Sequence, residues 1–112
     1  MHRITIPSQE KFTIRMDAYQ ASTLKLCDWS IRALTYPSSN RLPYSEVSEV
    51  IIPKEECTYV DDNTYDFILD TASLKAGFLE FDLRINVFDS SSSDGRRLLI
   101  KTIKTPFLII KR

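Results

Sequence analysis

The stretch Gly77–Asp89 reads G-F-L-E-F-D-L-R-I-N-V-F-D. Leu79, Phe81, Leu83, Ile85 and Val87 fall on every second residue, with Glu80, Asp82, Arg84 and Asn86 between them. Successive side chains of a strand point to opposite faces, so this spacing makes one apolar face and one wet face. A helix would scatter the same five apolar residues around its circumference. The stretch predicts a long, half-buried antiparallel strand, and a chain built around such a strand must bury its apolar face under a second layer.

Other stretches alternate in the same way. Ile4–Ile6 and Phe12–Met16 flank Pro7-Ser8-Gln9 and read as one early strand in two pieces, or as an arm within residues 1–10 followed by a strand. Asp17–Lys25 is polar and turn-like, with room for a helical turn at Ala18–Ala21. Trp29–Tyr36 is a second clear strand, with Trp29, Ile31 and Ala33 on one face. Pro37–Tyr44 holds two prolines and reads as a loop. Glu46–Ile52 alternates and stops at Pro53, and Lys54-Glu55-Glu56 is a charged turn. Cys57–Val60 and Tyr65–Leu69 are short strands about the turn Asp61-Asp62-Asn63.

Asp70–Gly77 fits one helical turn, capped by Asp70 or Thr71 and closed by Gly77. A turn of this kind suits a crossover between sheets. Ser90–Gly95 reads as a mobile hairpin tip. Arg96–Lys104 and Pro106–Ile110 complete the chain. Pro106 cannot donate a ladder hydrogen bond, so a bulge or kink is expected at Thr105-Pro106, letting the last segment change sheet. Seven or eight short strands with one short helical turn predict an all-β fold, an antiparallel β-sandwich in a single domain over 1–112.

Composition narrows the function. The chain has 15 basic and 15 acidic residues, a formal net charge of +0. Nucleic-acid binding draws on a basic excess, so no nucleic-acid partner is expected. A neutral surface lacks the repulsion that keeps proteins apart and suits a subunit that assembles, for example as a homo-oligomer. No apolar run approaches the roughly 18–20 residues of a membrane span. Met1–Pro7 has no apolar core of a signal peptide, so synthesis in a cytoplasm is expected. Cys27 and Cys57 lack the spacing of an immunoglobulin bridge and are expected to be reduced and mostly buried.

No catalytic, metal or cofactor residue is assigned. His2, the sole histidine, stands beside a chain end. No pair of Cys or His has close ligand spacing. Asp61-Asp62-Asn63 with Asp66 is acidic enough to suggest calcium, but the turn already accounts for it. Glu80 and Asp82 are expected on the wet face of the strand rather than as glycosidase carboxylates. Ser90–Gly95 lacks the pattern of a phosphate loop. The remaining candidates belong to an interface. Tyr36 and Tyr44 flank the proline loop with Arg41, and Arg96 and Arg97 open a locally basic C-terminal segment suited to an acidic partner.

The C-terminal half carries a further signal. Tyr65-Asp66-Phe67-Ile68-Leu69-Asp70-Thr71 is followed by Leu74, Gly77 and Leu79, then the long strand to Asp89, then Asp94-Gly95-Arg96 and a closing strand. This order, over roughly residues 58–110, resembles the small immunoglobulin-like virion proteins of tailed bacteriophages, which include auxiliary capsid proteins and the N-terminal domain of the baseplate upper protein. The polar run Ser90–Ser93 stands where those relatives carry Pro and Phe. The resemblance implies an immunoglobulin-like sandwich and a non-enzymatic structural subunit of a virion, with capsid or baseplate proteins as partners and no catalytic residue to carry over. A lone domain favours an auxiliary or decoration protein of the capsid. The alternatives are a baseplate or tail protein, or a carbohydrate-binding adhesion module using exposed tyrosines.

Overall fold

The computed structural model describes residues 2–17, 22–36 and 48–111. Its eight strands are β1 (His2–Ile6), β2 (Gln9–Arg15), β3 (Trp29–Tyr36), β4 (Ser48–Pro53), β5 (Thr58–Asp61), β6 (Thr64–Asp70), β7 (Gly77–Phe88) and β8 (Arg96–Lys111). The expected helical turn at Ala18–Ala21 and the Pro37–Tyr44 loop lie outside the described residues.

A five-stranded sheet runs β1-β8-β7-β3-β4 and a three-stranded sheet runs β2-β6-β5. Every pair is antiparallel except β1 with β8, which is parallel. Strands β3, β7 and β8 take the C, F and G places of an immunoglobulin-like sandwich. The B, E and D places fall to β2, β6 and β5. The early strand does come in two pieces, one in each sheet, parted at Pro7-Ser8.

The alternation of β7 delivers its apolar face as expected. Leu79, Phe81, Leu83, Ile85 and Val87 are all buried and meet Ile14, Phe67 and Leu69 from the facing sheet. Each fully buried side chain of this size contributes about 1.5–3 kcal/mol. Trp29 sits edge-on to Tyr65 at 5.0 Å and donates its indole N–H to the Leu24 carbonyl at 2.7 Å. That bond lets a polar edge be buried without penalty. Both thiols are free; Cys27 is buried and Cys57 half-buried.

Four expectations are corrected. Glu80, placed by the alternation on the wet face, is only 6% exposed. Its register neighbours are Leu34 on β3 and Lys104 on β8. A central place in the sheet, rather than the alternation, sets its exposure, while Arg84 and Asn86 further along β7 are wet. The turn after β6 is a single 3-10 turn, Thr71–Ser73, capped by the Asp70 carboxylate. It is closed by Leu74, and Gly77 opens β7 instead.

The register of β7 against β8 does slip between Phe78 and Glu80, opposite Thr105-Pro106. Even so, β8 runs on to Lys111 in the same sheet, because β1 pairs with Phe107–Lys111 and holds it there. The Ser90–Gly95 tip, read as mobile, is organised by hydrogen bonds. The Asp89 N–H donates to the Gly95 carbonyl at 2.9 Å, and one Asp89 carboxylate oxygen accepts the Ser91 N–H at 3.0 Å and its hydroxyl at 2.6 Å.

Candidate interaction surface

Among the described residues, the sequence candidates do not converge. Tyr36 ends β3 opposite Phe78 and is half-buried. Arg96 opens β8 opposite Phe88. Phe78 and Phe88 lie near opposite ends of β7, about 33 Å apart at ~3.3 Å per residue. Arg41 and Tyr44 lie outside the described residues. Arg96 holds its guanidinium 4.7 Å over the Phe88 ring, and Arg97 lies 3.8 Å from the Asp89 carboxylate. Both arginines are exposed, and they stand on one strand edge rather than beside the tyrosine.

That edge is the more telling feature. Strand β8 is 16 residues long and reads R-R-L-L-I-K-T-I-K-T-P-F-L-I-I-K. It carries Arg96, Arg97, Lys101, Lys104 and Lys111 and no acidic residue. One side pairs with β7. The other side is taken by β1 from Phe107 onward. Among the described residues, no strand pairs with the outer side of β8 over 96–106. Unpaired strand edges are templates for further pairing. Leu98 and Ile100 on this stretch are 48% and 56% exposed.

Among the described residues, no strand covers the side of the sandwich bordered by β8 over 96–106. Pro7-Ser8 carries the chain directly from β1 to β2, so the β8 edge and the outer β2 edge flank the same gap between the sheets. A cleft of about 210 Å³ lies there, lined by Phe12, Phe81, Ile103, Pro106 and Phe107 among others. Phe12 meets Phe81 at 5.0 Å and Phe107 at 5.4 Å, both edge-on. The bulge shapes this wall. The Thr105 hydroxyl donates to the Leu79 carbonyl at 2.7 Å, a bond the ladder itself does not supply at the slip.

The carboxylates are engaged in local structure. Asp61 accepts the Asn63 N–H at 2.9 Å, which, with the Thr64 hydroxyl, holds its carboxyl below the usual range. The Thr13 hydroxyl, at 2.6 Å, and Lys11, at 3.3 Å, do the same for Asp66. The Tyr59 hydroxyl donates to Asp62 at 2.7 Å. Among the described residues, no three His, Cys, Asp or Glu side chains are grouped to hold a metal ion. Among the described residues, no helix is long and apolar enough to cross a membrane.

Sequence reasoning found the basic character of β8 through Arg96 and Arg97 but missed its open edge and the phenylalanine cleft. The basic run signals the charge of the edge, but its being open depends on β1 pairing only from Phe107 onward. The cleft depends on how two sheets meet and has no local signature. No family model, curated protein or solved structure matches this chain.

Proposed function

We propose that this chain is a non-enzymatic structural subunit of a bacteriophage particle, an auxiliary or decoration protein of the capsid surface that works through protein–protein contacts. The observation that supports this reading is the basic edge of β8, which no described strand pairs over 96–106, with its exposed Leu98 and Ile100. Such an edge offers its backbone to a partner strand while its basic side chains oppose pairing with itself, so docking on a complementary surface is what would cover it. The neutral net charge and the likeness of residues 58–110 to small virion proteins point the same way.

Two measurements test the reading. Light scattering across a range of concentrations reports self-association. Co-sedimentation with purified phage heads that lack the protein reports docking. Saturable binding to the heads, or a stable ring, supports the reading. A clean monomer that ignores the heads, and instead binds a glycan panel through Tyr36 and Tyr44, overturns it in favour of an adhesion module.

A further inference from the structure

The gap between β8 and β2 has the chemistry of a strand acceptor. Over 96–106 the β8 backbone is unpaired on its outer side by any described strand. Further along, β1 already occupies that same side in parallel register, His2 opposite Phe107 through Ile6 opposite Lys111. The edge is therefore competent to bind a strand, and β1 fills only part of it. Side chains on an added strand would alternate between the outer face and the cleft. On β8, Leu99, Lys101 and Ile103 face the inner side, opposite Ile85, Leu83 and Phe81. Ile103 lines the cleft, whereas Arg96 and Lys104, opposite Phe88 and Glu80, are exposed on the outer face.

We infer that β8 residues 96–105 accept an extended, acidic segment of another polypeptide, added as a strand in line with β1, with apolar side chains entering the Phe12–Phe107 cleft. Charge selects the occupant. The stretch carries Arg96, Arg97, Lys101 and Lys104 and no acid, so an alternating apolar–acidic strand complements it. Two copies of β8 laid against each other would oppose like charges, which is the arrangement edge lysines and arginines prevent. This inference deepens the assembly reading and rests on it.

The probe is a fluorescently labelled synthetic peptide alternating valine and glutamate, titrated with the full chain and followed by anisotropy. Saturable binding is expected, with slowed amide hydrogen exchange across 96–105. Arg96→Gln and Lys104→Gln, the two basic residues on the face that the glutamates would share, should together weaken binding about tenfold, with the circular dichroism unchanged. A backbone N-methylated version of the peptide keeps every side chain but cannot donate in a ladder, and it should not bind.

Equal binding of the methylated peptide overturns strand addition. Equal binding of a valine–lysine peptide overturns the acidic preference. Unchanged affinity in the Arg96→Gln, Lys104→Gln double variant overturns the site. A dimer of the chain in light scattering that the peptide dissociates makes the occupant a second copy and overturns the inference. If the protein docks on phage heads yet ignores every peptide, the edge assignment alone fails. If it neither docks, self-associates nor binds peptide, the assembly reading fails with it.

Discussion

Ser8 and Thr71 hold each other from opposite sides of the small sheet's end. The Ser8 N–H donates to the Thr71 hydroxyl at 2.8 Å, and the Thr71 N–H donates to the Ser8 carbonyl at 3.0 Å. Thr71 is fully buried. The pair ties the point where the chain leaves the large sheet for β2 to the turn by which it returns from β6 to β7. Replacing Thr71 by valine keeps the shape, removes the hydroxyl and strands the Ser8 N–H. The expected loss is about 1–3 kcal/mol in urea unfolding. Thr71→Ser, which keeps the hydroxyl, should lose only about 1 kcal/mol. Unchanged stability in Thr71→Val beside a loss in Thr71→Ser would show that the methyl, not the hydrogen bonds, matters there.

Gly95 closes the β7–β8 hairpin with φ at +74°. A Cβ at this position would meet nothing within 4 Å. Any cost of Gly95→Ala is therefore backbone strain, about 1 kcal/mol. Asn tolerates the left-handed region better, so Gly95→Asn should cost less. The order of the two denaturation midpoints checks this, and an unchanged Gly95→Ala midpoint would mean that the tip adopts a different turn.

Asp89 makes stability depend on acid. The Ser91 hydroxyl, then the Ser91 N–H and, more weakly, Arg97, hold its carboxyl below the usual carboxylate range. A carboxylate whose pKa is depressed by folding adds stability above its unfolded value, about 3.9. That contribution is lost as pH falls through the lower folded value. Urea midpoints measured from pH 6 downward should therefore fall less steeply below about pH 4 for Asp89→Asn than for the parent chain. Parallel curves would remove Asp89 as a source of the acid sensitivity and leave Asp66 and Asp61, which are shifted in the same direction.

Cys57 should be a poor nucleophile. Burial first, then the charges of Glu56 and Glu55, push its thiol up to about 11. The thiolate is the reactive form, so little of it exists near neutrality. Alkylation by iodoacetamide at pH 8 should be much slower in the folded chain than in urea, and should rise steadily as pH approaches 11. Neutralising both glutamates should speed it modestly, since burial is the larger cause. Fast labelling of the folded chain at pH 8 would show that the 3-10 turn at Lys54–Glu56 opens readily.

The strands were legible wherever one face is buried and the other wet, because alternation then records the environment directly. Trp29–Tyr36 and Gly77–Phe88 emerged with nearly their observed limits for that reason. Glu80 was misread because its burial comes from Leu34 and Lys104 across the sheet, which no local pattern contains. Pro106 correctly marked a slip in the ladder but not its outcome. Whether β8 stays in its sheet depends on pairing with β1, a partner about a hundred residues earlier. The candidate surface was half legible for the same reason. Charge along β8 is written in the chain, whereas an open edge is a property of which strands stop short.

The parallel pairing of β1 with β8 also fixes how the domain carries load. Force applied through His2 and Lys111 pulls the two strands lengthwise past each other, since His2 lies beside Phe107 and Ile6 beside Lys111. All the backbone hydrogen bonds of that pair then resist in shear together, instead of opening one after another like a zip. Forced unfolding is governed by the barrier to the first rupture. Pulled through these two residues, the sandwich should behave as a mechanical clamp. Peeled through the β7–β8 tip, it should yield at much lower force.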